Sequence, residues 1–132
     1  PYFKKQEESR VCIVSSMSAI RSFASGGIHN AAKGALSRFA NAAAIELAPK
    51  GIYVTDIRPG AVDTGLYDSE EVQNAVANIA AQYGTDWSKR NGGLRLMPPL
   101  AVGKAIVTAL TSEAHITSIN MVARGQWPHE GS

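Results

Sequence analysis

The chain has 132 residues, of which 45% are apolar and 18% are charged, and its formal net charge is +2. This composition is typical of one small globular domain and excludes a disordered chain. Basic and acidic residues are interleaved along the sequence, so we expect no binding of nucleic acid, and no apolar run is long enough to predict a membrane span.

The first predicted element is a strand from Val11 to Ser16, a short apolar run that ends in two serines. Such a run is typical of a strand buried on both faces of a parallel sheet. Cys12, the only cysteine, lies inside it, and we interpret it as a buried small hydrophobe rather than a catalytic thiol. A lone thiol and the absence of a visible signal peptide favour a reducing, cytoplasmic location.

A long helix is predicted next, from the Ser-Gly-Gly entry at residues 25–27 to about Leu47. Pro49 and Gly51 provide its stop signal. Its alanine-rich surface is apolar on more than one side. We therefore expect this helix to contact both its own sheet and a second partner.

Further strands and helices alternate along the rest of the chain. We predict a strand from Ile52 to Ile57, a helix over residues 70–83, a loop over residues 85–99, a helix over residues 100–113 and a strand over residues 116–123. This alternation predicts an α/β fold, a doubly wound, Rossmann-like parallel sheet with crossover helices. Three strands are few for such a sheet, and the apolar first strand would be an open edge. We therefore expect that an upstream half, or a second chain, supplies its neighbour.

Three short motifs have a spacing that matters when they are taken together. Ser16 ends the first strand, Lys33 lies four residues after His29 on the helix, and "RPGAVDTG" follows the second strand. This set resembles the short-chain dehydrogenase/reductase family, in which a strand ends in Ser-Ser, a Tyr-x-x-x-Lys lies on the next helix and a Pro-Gly-x-(Val/Ile)-x-Thr loop follows the next strand. The resemblance covers the chain and corresponds to the C-terminal half of the family's domain, without its glycine-rich dinucleotide loop.

The resemblance implies a role for each matching residue. Ser16 matches the serine that hydrogen-bonds the substrate oxygen, and Lys33 matches the lysine that holds the nicotinamide ribose. The loop that lies against the nicotinamide is matched by Pro59, Gly60, Val62 and Thr64. The resemblance thus implies an NAD(P)-dependent oxidoreductase that acts on a small alcohol, carbonyl or hydroxy acid. The tail "PPLAVGKAIVTALTSEAHITSINMVARGQ" is similar to that of members acting on small hydroxy acids, which favours NADP.

His29 occupies the position of the family's catalytic tyrosine. A histidine ordinarily titrates near about pH 6.5 and a tyrosine near about pH 10, so the two differ as proton donors. An imidazole also reaches less far than a phenol, and general acid catalysis requires hydrogen-bond reach. Two functions therefore stay open: an oxidoreductase with weakened or altered catalysis, and a non-catalytic binding or oligomerisation module or inactive fragment. An engineered substitution at this position stays open as well.

Each motif also has an ordinary structural explanation. Ser16 can cap a turn, Lys33 can be a solvated surface charge, and His29 can be a first-turn helix residue bonded to a loop. No cluster of His, Cys, Asp and Glu has the spacing of a metal site, so we expect no metal. We expect a homo-oligomer through the helix from Ala31 to Ala48, because the corresponding helix pairs with its copy in the family that the chain resembles.

Overall fold

The fold is that of a computed structural model, which describes residues 8–83 and 95–124, except for the side chains of Ala80 and Tyr83. Within those residues the strands and helices follow in the order β1 (Ser9–Val14), α1 (Gly27–Leu47), β2 (Ile52–Pro59), α2 (Glu70–Tyr83), α3 (Pro99–Thr111) and β3 (Ser118–Met121). This order confirms the predicted alternation of strands and helices.

The sheet has the strand order β1-β2-β3, and both neighbouring pairs run parallel. Ser9 lies opposite Ile52 in the first pair, and Asp56 lies opposite Ser118 in the second. Parallel neighbours joined through helices form the Rossmann-like arrangement that the sequence predicted, which is therefore confirmed. Within the described residues β1 pairs only with β2, so its other edge has no strand beside it.

Helices α1 and α3 cover opposite faces of the sheet. On one face, Ala40 and Ala44 of α1 pack with Val54 of β2. On the other face, Cys12 Sγ lies 4.0 Å from the carbonyl oxygen of Ile106 in α3. Val11 of β1 pairs with Val54, and Cys12 is the next residue. Because successive strand residues point to opposite faces of the sheet, Cys12 lies on the face away from α1. The sheet is therefore a middle layer between two helices.

Cys12 is half-buried rather than buried, which corrects the prediction from the sequence. Among the residues that the structure describes, its strand is an edge strand, with a neighbour on one flank only. Burial beneath α3 still raises the pKa of its thiol. A raised pKa disfavours the thiolate, so Cys12 fits a packing role.

One stripe of α1 packs on the sheet. Its buried residues Ser37, Ala40 and Ala44 are separated by three and four positions, which places them on the same helix face. Elsewhere on the helix, Phe39 and Ile45 are 63% and 77% exposed, so apolar surface remains uncovered. None of the described helices is both long and apolar enough to cross a membrane.

The first strand lies two residues earlier in the chain than the sequence predicted. Ser9 and Arg10 pair with Ile52 and Tyr53 of β2. The Arg10 guanidinium is satisfied by Glu8 and by backbone carbonyl oxygens at the end of α3 and just after it. Polar residues therefore begin the strand, and the two serines that follow Val14 lie beyond its carboxyl end.

The loop predicted over residues 85–99 is described only from residue 95, and its earlier part lies outside the described residues. Pro99 is already the first residue of α3, one position before the predicted start. Proline is tolerated there because the first turn of a helix has no partner for its N–H groups.

Candidate functional site

A pocket lies at the carboxyl ends of β1 and β2. It has a volume of about 240 Å³ and is lined by Ser15, Ser16, His29, Lys33, Pro59, Gly60, Val62, Thr64, Leu66 and Tyr67. This lining includes every residue that the sequence predicted for a site. Ligands of open parallel sheets bind at this end of the strands. The structure thus brings the predicted residues together, while their individual roles stay predictions.

Ser16 follows β1 and caps a short 3-10 turn over Met17–Ala19. Its backbone is extended, and its Oγ accepts hydrogen bonds from the Ser18 backbone N–H at 3.1 Å and from the Ser18 hydroxyl at 2.8 Å. Ser16 therefore caps a turn, which is the ordinary structural explanation of this serine. A serine hydroxyl has two acceptor lone pairs and one donor, so two accepted bonds leave the Ser16 O–H available to donate into the pocket.

His29 and Lys33 lie on the first two turns of α1, four residues apart. Side chains at this spacing share one helix face, so both reach the same pocket. The buried Ser37 continues the stripe by one further turn, which shows that the stripe faces the sheet. Lys33 is half-buried whereas His29 is exposed, so Lys33 lies deeper in the pocket and His29 lies at its rim.

The loop before α1 packs on His29 through Phe23. The centroids of the two rings are 6.0 Å apart and the rings are tilted by 50°. The Phe23 carbonyl oxygen accepts hydrogen bonds from the Gly26 N–H at 3.2 Å and from Asn30 Nδ2 at 3.3 Å. A Cβ atom at Gly26 would lie 2.3 Å from Phe23 Cε2. The ring therefore occupies its position only because residue 26 has no side chain.

Gly26→Ala is expected to move the Phe23 ring away from His29, because the added Cβ and the ring cannot share the space. Phe23 is 42% exposed and can turn toward solvent, so we expect a loss of about 1 kcal/mol of unfolding free energy, the scale of one aromatic contact. The ring-proton resonances of His29 in the natural protein report the movement. Gly27→Ala is the matched control, since a Cβ there meets nothing within 4 Å. Unchanged His29 resonances in Gly26→Ala would contradict this packing.

The loop after β2 is held on two sides by backbone hydrogen bonds. The Gly60 N–H donates to the carbonyl oxygen of Met121 in β3 at 2.7 Å. Val62 forms an isolated parallel bridge with Met97, and hydrogen bonds of 2.8 and 2.9 Å join Met97 to the residues on either side of Val62. Met97 is 4% exposed, so this bridge is anchored in the core. The loop therefore presents Val62 and Thr64 to the pocket from a fixed backbone.

A buried polar network lies directly beneath the pocket. Asp56 is 1% exposed, and its carboxylate accepts hydrogen bonds from the Ser15 hydroxyl at 2.5 Å, the Ser37 hydroxyl at 2.6 Å and the Arg58 Nε–H at 2.7 Å. Arg58 also donates to Asn120 Oδ1 at 3.3 Å. The network thus connects the end of β1 with α1, β2 and β3.

This network fixes the two elements that present the predicted site residues. Ser15 directly precedes Ser16, and Ser37 lies one helical turn after Lys33. One carboxylate therefore sets the position of the strand end relative to the helix. Sequence reasoning missed it, although "IYVTDIRP" contains a signal: two opposite charges, two positions apart, share one face of an otherwise apolar strand.

Leu66 and Tyr67 also line the pocket, although the sequence did not single out either side chain. They lie in a 3-10 turn over Leu66–Asp68, which follows Gly65 in the left-handed region at φ 78. Tyr67 is half-buried, and this burial raises the pKa of its phenol. No periodic pattern sets side-chain directions in such a turn, so the sequence did not indicate that these side chains enter the pocket.

His115 lies outside the pocket. Its Nε2 is 3.0 Å from the Val54 carbonyl oxygen, and its ring packs on Tyr53 with centroids 5.0 Å apart. These contacts assign it to the packing of the sheet. Within the part of the chain that the structure describes, no three His, Cys, Asp or Glu side chains lie where they could hold one metal ion.

Comparison with known proteins gives a family match and a fold match. A family model described as short chain dehydrogenase matches residues 1–75. An uncharacterized oxidoreductase of Staphylococcus epidermidis is 27% identical over 116 residues, which is 88% of this chain and 42% of that protein. The chain thus spans less than half the length of this relative.

Solved structures resemble the chain over almost all of its length. A short chain oxidoreductase from Pseudomonas aeruginosa, solved with NADPH bound and containing an atypical catalytic center, matches with a TM-score of 0.74 and 23% identity over 99% of this chain and 50% of that one. The 3-ketoacyl-(acyl-carrier-protein) reductase from Brucella melitensis, complexed with NADH, matches with a TM-score of 0.69 and 26% identity over 92% of this chain and 48% of that one. Because the family model covers more than half of its residues, the chain belongs to the short-chain dehydrogenase family.

Proposed function

We propose that the protein containing this chain is an NAD(P)-dependent oxidoreductase that acts on a small alcohol, carbonyl or hydroxy acid. The observation that carries the proposal is that Ser16, His29, Lys33 and the loop from Pro59 to Thr64 line one common pocket. Membership of the family and an oxidoreductase relative support it. The chain spans 42% of that relative, so the activity is proposed for the whole protein.

The pocket fits the nicotinamide end of the cofactor. Its volume of about 240 Å³ lies below the roughly 300–1,000 Å³ of pockets that enclose a whole drug-sized ligand. It therefore suits one ring of a dinucleotide together with a small substrate. The lining has the chemistry this requires: Lys33 and Thr64 offer a cation and a hydroxyl, while Pro59 and Val62 offer an apolar surface to a flat ring.

The residues that would hold the cofactor follow from this lining. Lys33 would bind the nicotinamide ribose, and Thr64 would bind the carboxamide or the phosphates. When bound, the cofactor supplies or accepts a hydride. NADP is the form we favour, on the resemblance of the tail to members that use it. One solved relative was obtained with NADPH and another with NADH, which supports a nicotinamide cofactor of either kind.

The substrate oxygen would be bound by Ser16, whose two accepted hydrogen bonds leave its O–H free to donate. Val62 and Leu66 would contribute apolar walls beside the substrate. His29 stands where the family has its tyrosine, so the acid/base step of the proposed enzyme is weakened or altered. The relative is an oxidoreductase, which does not favour the alternative of a non-catalytic module.

We also propose two kinds of partner. A further strand, from the same protein or from a second chain, would pair with the free edge of β1, where Val14 is 43% exposed. A second copy would pack on the helix from Ala31 to Ala48, where Phe39 and Ile45 expose apolar surface whose burial stabilises association. A single half-buried thiol fits a reducing cytoplasmic location.

The natural protein that contains this chain is expected to bind NADPH or NADH with a Kd between about 1 μM and 1 mM, the range in which enzyme KM values fall. Titration followed by the fluorescence of the reduced nicotinamide measures this. Thr64→Val is expected to weaken binding, because it removes a hydroxyl from the pocket, and Thr108→Val in α3 is the matched control on an exposed face. No binding of either nucleotide at millimolar concentration would overturn the proposed function.

A further inference from the structure

We propose that Tyr67 is the residue that donates the proton to the substrate oxygen, in place of the tyrosine that position 29 lacks. This proposal rests on the proposed function, because a proton donor is needed only if the protein reduces a carbonyl. Its basis is that Tyr67 lines the same pocket as Ser16, His29 and Lys33. Tyr67 thus contributes a tyrosine to the pocket lining, but from the loop after β2 rather than from α1.

The other pocket side chains are less suited to this role. The Ser15 hydroxyl donates to Asp56 at 2.5 Å and is therefore committed to the buried network. The Ser16 hydroxyl is an aliphatic alcohol, which gives up a proton far less readily than a phenol does. His29 is exposed at the rim, and its imidazole is shorter than a phenol. Tyr67 combines a partly buried position with a group that has the longer reach.

The backbone of Tyr67 is held on both sides. Around it, the Asp68 N–H donates to the Gly65 carbonyl oxygen at 3.2 Å and closes the 3-10 turn that contains Tyr67. After it, Gln73 Nε2 in α2 donates to the Tyr67 carbonyl oxygen at 3.2 Å. A general acid must stay within hydrogen-bond reach of the reacting oxygen, and these two bonds restrict the movement of the residue that carries the phenol.

The proposed reduction transfers one hydride and one proton to the carbonyl group. The carbonyl carbon accepts a hydride from the reduced nicotinamide, and the π electron pair of the C=O bond moves to oxygen. That oxygen takes the proton of Tyr67 Oη, so the carbonyl is reduced to an alcohol and the nicotinamide is oxidised. An alkoxide is a far stronger base than a phenolate, so the transfer runs toward the alcohol. Water then returns a proton to the phenolate of Tyr67.

The protonation state of Tyr67 suits a donor. Burial raises the pKa of its phenol, so the phenol keeps its proton at neutral pH. The titratable groups that line the same pocket are His29 and Lys33 from α1, and Asp63 and Asp68 are neighbours of Tyr67 in the sequence of its loop.

The test uses the natural protein that contains this chain, diacetyl as the carbonyl probe, and NADPH or NADH as the reductant. Tyr67→Phe is expected to lower kcat by about 10²- to 10⁴-fold, the usual contribution of a general acid, with the cofactor Kd unchanged. His29→Phe is expected to lower kcat by a smaller factor. Tyr53→Phe is the matched control and should keep the wild-type rate, because Tyr53 packs on His115 outside the pocket.

The pH profile of the wild-type reduction separates a phenol donor from an imidazole donor. A phenol with a raised pKa keeps kcat constant up to about pH 10, whereas a histidine donor makes kcat fall above about pH 6.5. A fall near neutral pH, or a Tyr67→Phe variant with the wild-type rate, would overturn the assignment of Tyr67 and leave the proposed function intact. A wild-type protein that binds neither NADPH nor NADH would overturn the proposed function and this proposal with it.

Discussion

Asp56→Ala is expected to lower the free energy of unfolding by about 3–5 kcal/mol, the usual cost of removing one partner of a buried ion pair. Asp56 and Arg58 are 1% and 9% exposed. Without the carboxylate, the guanidinium keeps its charge in a site with little access to water, and its remaining contacts with Ser37 Oγ and Asn120 Oδ1 measure 3.1 and 3.3 Å. The Ser37 hydroxyl also loses its acceptor, and the Ser15 hydroxyl keeps only the Ile57 carbonyl oxygen at 3.4 Å. Denaturant unfolding of the natural protein that contains this chain measures the loss.

Two further variants identify the source of this loss. Glu46→Ala removes an exposed carboxylate from α1 and should change the stability by less than about 0.5 kcal/mol. Adding Arg58→Met to Asp56→Ala removes the unpaired charge, so the double variant should recover part of the lost stability. A loss of less than about 1 kcal/mol for Asp56→Ala would mean that the network contributes no more than an average surface contact.

The sheet and the composition of the pocket could be predicted from the sequence because both depend on strand order. Apolar runs separated by a helix predict parallel neighbours, and the carboxyl ends of parallel strands meet at one edge. Ser16 and the loop from Pro59 to Thr64 each follow such a run, so they were expected at the same edge. His29 and Lys33 are about one helical turn apart, so they were expected on the same face of the helix.

The missed features depend on contacts that no local pattern encodes. Asp56 and Arg58 interrupt an apolar strand, and only the three-dimensional positions of their hydroxyl partners show that the charges are satisfied. Val62 and Met97 are far apart in the sequence and are joined through their backbones. Because every residue has these backbone groups, no residue type indicates the bridge. Tyr67 lines the pocket from a 3-10 turn that follows the left-handed Gly65, where no regular period predicts the direction of a side chain.

Lys33→Met is expected to weaken the binding of NADPH or NADH by about 10- to 150-fold. This factor corresponds to the loss of one hydrogen bond to a charged group, which is worth about 1.5–3 kcal/mol at about 1.4 kcal/mol per tenfold change. Lys33 is half-buried and lies on the helix stripe that faces the sheet, so its ammonium is partly removed from water. Methionine fills similar space with an apolar chain and removes the ammonium, with its charge and its hydrogen-bond donors. Fluorescence titration of the natural protein measures the change.

Lys104→Met in α3 is the matched control for Lys33→Met, because it removes an exposed ammonium from the helix on the other face of the sheet. It should leave nucleotide binding unchanged, whereas Lys33→Arg should retain part of it by keeping the charge. Binding by Lys33→Met that equals wild-type binding would assign Lys33 to the solvated surface, which is the ordinary explanation of a lysine near a helix start. The spacing of His29 and Lys33 would then reflect helix packing, and only the loop after β2 would remain to form a nicotinamide subsite.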